Sequence, residues 1–488
     1  MRVLYYNWVD YLDDENRGGG VTVYQRNLMA AAADREDIDA IQLSSGISYD
    51  IKPGKPRWDQ VRHGPTEDRD RRFEIINSGT LSPSHYSFGQ DKQITHPATV
   101  DVFEDILRAK GPFDVVHFNN LEGLPAEVLA LRSRFPDTRF VLSLHNYYPF
   151  CPQVNLWHQE AAHCADFDQG RKCAGCLMGQ PDPRLVRLAH ATAFRLKRVG
   201  IRPGTRAFDV LFRGTLKLGR NGARLVRNLR NVGQRDRGKS PNLPADSATT
   251  HFADRRARIV ELINAHVDVV HSVSARTAKI AEMYGIDPAK ITVSYIGTPH
   301  AVEWTRTSPR VRQDAYVLRL VYMGYMRPDK GFPFLLDALE ALPDETLARL
   351  DLLVAALGGD DQMHRRLQAL GKRMARLTLQ AGYKPDQMDT LLADRDLAIV
   401  PPVWEDNLPQ VALESHCRHV PLLTSDRGGA QELSGAAAFI FKAGDVADFG
   451  RRLTDILNGQ VDMDAYWAGA LAPRSVSAHI DEILTLYR

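Results

Sequence analysis

Pro401–Leu433 reads PPVWEDNLPQVALESHCRHVPLLTSDRGGAQEL, and its reading decides the fold. It follows a short apolar run, Leu397, Ala398, Ile399 and Val400, with the length and composition of a buried strand. A loop then carries two adjacent carboxylates, Glu405 and Asp406, and the amide of Asn407, before a helical period begins that holds Glu414 near its start. Strand, loop and helix N-terminus in that order favour an anion, because the first N–H groups of a helix have no intrahelical acceptor. The backbone N–H groups around Asn407 and Leu408 are expected to hold phosphate oxygens. Glu414, one turn inside, is expected to accept hydrogen bonds from a ribose diol. The stretch therefore reads as a nucleotide-sugar site.

Three other segments point into the same kind of crevice. Leu320–Met323 reads as a strand that ends in GYMRPDKG, so Gly324, Arg327, Lys330 and Gly331 share one turn. Lys330 offers a mobile point charge for a diphosphate, and Arg327 a guanidinium able to bind phosphate through two parallel hydrogen bonds. At the N-terminus, MRVLYYNW is a short strand, and Gly18, Gly19 and Gly20 precede a helical run. Glycines there let backbone approach a ligand closely and leave helix N–H groups open to an anion. FDVVHF at Phe113–Phe118 and FVLSLH at Phe140–His145 read as buried parallel strands, and the second ends at His145. The C-terminal ends of such strands are where ligands of open α/β sheets sit.

Asp406 and Glu414 stand eight positions apart, Gly428, Gly429 and Glu432 form a G-G-x-x-E turn, and Gly324, Lys330 and Gly331 form G-x-x-x-x-x-K-G. In these motifs the chain resembles the retaining glycosyltransferases of family 4, also called group 1. The resemblance covers most of the sequence outside residues 152–255. The family's first carboxylate is Glu, so either Asp406 replaces it or Glu405 fills the role with one extra loop residue. The family's Arg directly after the first Gly is Tyr325 here, and Arg327 is the candidate replacement.

The resemblance implies a GT-B fold, an α/β architecture of two Rossmann-like domains facing a central cleft. It implies transfer of a hexose from a nucleotide diphosphate sugar to a glycan or lipid-linked glycan acceptor, in cell-surface polysaccharide biosynthesis. The mechanism it implies is front-face, with no enzyme nucleophile, the leaving diphosphate helping to accept the acceptor proton. Lys330, with Arg327, would stabilise the diphosphate, Asp406 or Glu405 would bind the sugar hydroxyls, and His145 would touch the sugar from the opposite wall. The loop at Gly19 and Gly20 would face the donor phosphate. No D-x-D segment stands at a strand end beside these motifs, so no divalent cation is expected in catalysis. A GT-B nucleotide-sugar epimerase, or a nucleotide-sugar-binding protein that has lost catalysis, are the alternative readings.

At 488 residues, 44% hydrophobic and 25% charged, the chain has material for two sizeable cores. It holds no run of 18 apolar residues and enters a strand directly at its N-terminus, from which a cytoplasmic protein is expected. The alternation of strand and helical periods predicts parallel sheets covered on both faces. Residues 1–300 are expected to form the first domain and 315–474 the nucleotide-sugar domain, and the resemblance implies that a helix at 475–488 crosses back to the first.

An insert at about 151–255 carries two departures from this pattern. Cys151, Cys164, Cys173 and Cys176 fall within 26 residues and end in C-x-x-C, which in a reducing compartment favours a structural zinc over disulfides. Unligated thiols or redox use are the other readings. Residues 184–239 hold sixteen Lys and Arg against Asp209 and Asp236, a balance of +14 in a chain of +2, leaving −12 elsewhere. Phe208, Leu211, Phe212 and Leu216 recur at helical spacing among these cations, with Arg206, Arg213, Lys217, Arg220, Arg224 and Arg227 on other faces. Such a segment suits an anionic inner leaflet or an acidic acceptor, giving a peripheral membrane protein, or it is a solvated helical hairpin. With no nucleic-acid-binding module beside the charge, nucleic acid is not expected as a partner.

Overall fold

The computed structural model describes the chain except residues 16, 178–179, 218–244, 311 and 313, and except the side chains of 245–249. Eight strands form the first sheet. They are β1 (Arg2–Tyr6), β2 (Asp39–Ser48), β3 (Arg57–Gln60), β4 (Arg72–Ile76), β5 (Val115–Phe118), β6 (Arg139–Leu144) and, beyond a hairpin of β7 (Trp157–His158) and β8 (Ala162–His163), β9 (Val269–Ser272) and β10 (Ile291–Val293). The spatial order is β10-β9-β6-β5-β1-β2-β4-β3, parallel except for β3. The runs VVHF and RFVLSL are buried almost end to end, as strands covered on both faces must be.

The second sheet comprises β11 (Leu318–Met326), β12 (Leu350–Gly358), β13 (Arg376–Ala381), β14 (Leu397–Val400), β15 (Leu422–Ser425) and β16 (Ile440–Phe441). Its order, β13-β12-β11-β14-β15-β16, is wholly parallel and reverses direction between β11 and β14. The first sheet reverses in the same way between β1 and β5. At such a reversal the crossover helices leave to opposite faces, and a crevice opens at the C-terminal strand ends. The glycine loop follows β1, His145 follows β6, the Lys330 turn follows β11, and the 401–409 loop follows β14. The order of the strands thus explains why segments distant in sequence meet at one cleft.

Six helices matter for the site: α1 (Gly19–Ala33), α2 (Ala245–His266), α3 (Ala275–Met283), α4 (Phe332–Glu340), α5 (Gln410–His416) and α6 (Val476–Leu486). Helix α3 starts where the Ser274 hydroxyl accepts from the Thr277 N–H, and α6 where the Ser475 hydroxyl accepts from the Ala478 N–H. Helix α6 lies on the first domain, with His479 Nε2 2.9 Å from Tyr24 Oη and Tyr487 Oη 3.2 Å from Tyr5 Oη. The outgoing and returning chains cross between domains side by side, since Thr298 N–H donates to Arg474 O at 2.9 Å.

The basic segment is not one continuous exposed surface. Pro183–Arg198 is a helix packed on the first domain: Lys197 Nζ bonds Glu15 at 2.9 Å, Arg187 lies 4.9 Å from the Tyr49 ring centroid, and Arg198 pairs with Asp59 at 3.6 Å. These cations are held by the fold and are not free to meet a surface. Residues 206–217 are helical, with Arg206, Arg213 and Lys217 exposed and Phe208 stacked on Phe212. Arg220, Arg224, Arg227 and the remainder to 239 lie outside the described residues. Among the described residues, no helix is long and apolar enough to cross a membrane.

Candidate active site

A cleft of about 820 Å³ lies between the two sheets' C-terminal ends and is walled by both domains. On the second-domain side Lys330 Nζ donates to Asp406 Oδ2 at 2.6 Å and sits 5.2 Å from the Trp404 ring centroid. Backbone contact fixes this pair. Gly331 caps α4 with φ +73, and a Cβ there would stand 1.7 Å from Pro401 O, so only glycine lets the lysine turn press against the 401 loop. Gly428, φ +70, meets Asp406 in the same way, with a Cβ falling 1.8 Å from Asp406 O.

Glu405 faces the other way and does not line the cleft. Fully buried, it accepts from Arg276 Nε at 2.9 Å and Nη2 at 2.5 Å, from Arg427 Nη1 at 3.0 Å and from the Gly428 N–H at 3.0 Å. Burial opposes its ionisation, but the Arg276 guanidinium outweighs this and holds the carboxyl below its ordinary value. Of the two carboxylates left open by the sequence, Asp406 is therefore the one at the cleft, and Glu405 belongs to the contact between domains. Arg327 is also outside the cleft: its guanidinium lies on Asp329 at 2.9 and 3.1 Å.

Glu414 lines the cleft one turn into α5 and accepts from Tyr383 Oη at 3.1 Å. Burial pushes its carboxyl up to about 7, against the opposing pull of Tyr383 and Arg418. Helix α5 has only seven residues, so its dipole is small. The 15-residue α1 starts across the cleft at Gly19, and a Cβ on Gly20 would reach within 3.8 Å of Gln410 Cγ. Asn407, Leu408 and Gly324 line the same space. The side chain of Asn407 turns away, its Nδ2 donating to Leu144 O at 2.8 Å.

His145 forms the opposite wall. Its ring centroid lies 4.4 Å from that of Tyr24, and Nε2 is buried without a partner among the described residues. Burial, then His271 and His479, hold its pKa well below the ordinary value, so the imidazole is neutral at physiological pH. Beneath it Ser143 Oγ bridges His271 Nδ1 and His117 Nε2, each at 2.7 Å.

Sequence reading missed the contacts that join the domains. Glu432 of the G-G-x-x-E turn accepts from the Ala275 and Arg276 N–H groups at 2.8 and 2.7 Å and from Tyr295 Oη at 2.6 Å, so it caps α3 of the first domain. It also missed Tyr24, although its position one turn beyond the glycines was a usable signal. The four clustered cysteines are all unpaired and surround one small cavity beside the hairpin β7–β8.

Two Rossmann-like domains, each contributing its reversal point to a shared cleft, define the GT-B class. Residues 312–470, within the second domain, match the family described as glycosyl transferases group 1. Among solved structures the whole chain is similar to Anabaena HepE in complex with UDP, at 14% identity and TM-score 0.53, covering 99% of this chain and 100% of that one. It is also similar to sucrose-phosphate synthase from Thermosynechococcus elongatus (14%, TM-score 0.53, 100% and 98% covered) and to trehalose 6-phosphate synthase from Burkholderia multivorans (11%, TM-score 0.51, 100% and 98%). At these identities the likeness concerns the fold. No curated protein matches the sequence.

Proposed function

We propose that this group 1 glycosyltransferase is a retaining hexosyltransferase that takes its donor as a nucleotide diphosphate sugar and glycosylates a hydroxyl of a glycan or lipid-linked glycan. The observation that carries the reading is the Lys330–Asp406 pair on one wall of the cleft, facing neutral His145 on the other. In line with it, HepE has been solved with UDP-glucose and with UDP and glucose.

The donor diphosphate lies between Lys330, the open N–H groups of Asn407 and Leu408, and the start of α1. Lys330 retains N–H donors beyond the one given to Asp406, and these meet the charge that grows on the leaving diphosphate. Glu414 holds the ribose diol, and Asp406 accepts from hydroxyls of the transferred sugar. His145, neutral and with Nε2 unpartnered, supplies a hydrogen-bonding edge to that sugar without a competing charge. As the bond from the anomeric carbon to the diphosphate breaks, the acceptor oxygen bonds that carbon on the same face, and its proton passes to the departing phosphate oxygen. The chain's residues position and stabilise charge, and none forms a covalent intermediate.

The test is nucleotide release from a panel of nucleotide sugars, with and without membrane lipid extract. Release from one donor that accelerates with an acceptor fraction, with the anomeric configuration kept in the product, supports the reading. Interconversion of donor sugars without transfer would make the protein an epimerase. Binding without either reaction would make it an inactive relative.

A further inference from the structure

The insert after β6 contains a charge imbalance that the fold alone leaves unresolved. Arg255 and Arg256 of α2 are 1% and 7% exposed. Arg255 donates to Gln93 Oε1 at 2.5 Å and Tyr148 O at 2.9 Å, and Arg256 donates to Phe150 O at 2.6 Å with its guanidinium 3.2 Å from the Phe167 ring centroid. All of these acceptors are neutral. Among the described residues neither arginine meets a carboxylate, and Arg256 Nη1 is buried with no partner. Burying two adjacent cations without an anion is costly, because each has lost its hydration.

Arg256 lines a cavity of about 10 Å³ together with Cys151, Cys164, Cys173 and Cys176, and with Lys172 at its edge. Thiols are neutral, so they leave the imbalance in place. Four thiolates around one divalent cation carry two net negative charges, equal and opposite to the arginine pair.

The backbone gives a second reason to look for a fastener. Of nine non-glycine residues with positive φ among the described residues, six lie in this segment: Val154, Leu156, Gln159, Glu160, Asp168 and Gln169. A β-branched residue such as Val154 at φ +70 is strained, and strain of this kind persists where something over-determines the loop. The two-residue strands β7 and β8 are too short to do so.

We propose that the four cysteines bind one zinc ion as a tetrathiolate, neutralising Arg255 and Arg256 and closing a knuckle that props the contact between domains. Zinc fits the donor set, which is all sulfur and tetrahedral in number. Among the described residues, the one trio of ligand atoms within 4.8 Å of one another is Asp13, Asp14 and Glu15, so the sulfurs ring their cavity more widely than a loaded site. Zinc–sulfur bonds of about 2.3 Å set sulfurs about 3.8 Å apart, and loading draws them inward around the cavity. The prop is His163, adjacent to Cys164, whose Nε2 lies 3.8 Å from Glu405 Oε1 of the second domain. Metal loading would thus fix the hairpin against the Glu405, Arg276 and Arg427 group, beside Asp406 but outside the cleft.

The full chain, purified without added zinc and washed in metal-free buffer, should contain about one equivalent of zinc. Its four cysteines should resist a thiol reagent until a chelator is added, then react together as zinc is released, with loss of thermal stability. Replacing zinc by cobalt should give the visible bands of a tetrahedral thiolate site. Cys164→Ser, at the least buried of the four, should lower bound zinc at least tenfold, whereas Asp13→Asn should leave it unchanged. Metal-free protein whose four thiols react at once would overturn the proposal, as would zinc lost on Asp13→Asn and kept on Cys164→Ser, or a coloured iron–sulfur species. None of these readouts depends on transferase activity.

Discussion

Asp406→Asn and Glu405→Gln alter neighbouring side chains that point to different parts of the molecule, and their effects should separate cleanly. Asp406→Asn removes the charge opposite Lys330 at the cleft, so donor turnover should fall while the urea midpoint stays near that of the unaltered protein. Glu405→Gln leaves Arg276 and Arg427 facing a neutral group and should cost about 2 to 3 kcal/mol of stability, less than for a fully dry pair because both arginines reach solvent. If Glu405→Gln silenced turnover at unchanged stability, the assignment of the two carboxylates would have to be reversed. Glu414 gives a pH signature. With its carboxyl at about 7, roughly half of the free protein carries that proton at pH 7, and ribose hydroxyls favour the ionised form. Nucleotide binding should therefore release about half a proton at pH 7, tighten as pH rises toward 8 and weaken toward 6. Calorimetry in buffers of different ionisation enthalpy measures the release. Glu414→Ala should abolish it and weaken affinity at least tenfold, the equivalent of about 1.5 to 3 kcal/mol. Nothing in the residue types distinguished Glu405 from Asp406, because side-chain direction in an irregular loop is set by its partner, here an arginine about 130 positions upstream.

At the scale of elements, the two walls of the cleft predict different kinetics. Lys330→Ala, on the β11–α4 turn, should lower both nucleotide affinity and turnover. His145→Ala, at the end of β6, should lower turnover tenfold or more while nucleotide affinity changes little. Equal losses of affinity in a titration of the two variants would mean that both side chains touch the nucleotide. Strand–loop–helix order made most of these elements legible in advance: buried apolar runs announced β6, β11 and β14, and the glycines announced α1. Arg327 lies outside the cleft because the turn gives it Asp329 two residues on, a local partner that competes with any ligand and that the motif spacing does not reveal. Glu432 was legible as part of a turn but not as the cap of α3, since the N–H groups it satisfies belong to a helix more than 150 positions earlier.

Across the whole molecule, the second domain grips the first through Glu405, Asn407 and Glu432, all within or just beyond the stretch that forms the donor wall. Donor binding and domain contact therefore share one loop. The exposed cations of 206–217, with those outside the described residues, make a separate prediction. Each cation near an anionic leaflet contributes about 1 kcal/mol. If the segment docks on an anionic leaflet, the protein should sediment with anionic vesicles, far less with neutral ones, and release as salt shortens a Debye length of about 8 Å. Replacing Arg213, Lys217, Arg220 and Arg224 by Gln should abolish sedimentation and spare turnover on a soluble acceptor. Sedimentation that survived those replacements would leave the segment a solvated hairpin.

Helix α6 carries an implication for how the protein is made. His117 Nδ1 lies 2.5 Å from Tyr487 Oη, and Tyr24 Oη bonds His479, so buried polar groups of the first domain find their partners some 370 and 455 residues downstream. While the ribosome is still synthesising the second domain, the first has an open seam exposing Tyr5, Tyr24 and His117. A nascent chain halted before Val476 should accordingly remain sensitive to protease and dependent on chaperones, however complete its N-terminal sheet. Maturation of the first domain would then depend on completing the second, so that a cleft with only one finished wall would be a target for degradation before it could bind donor.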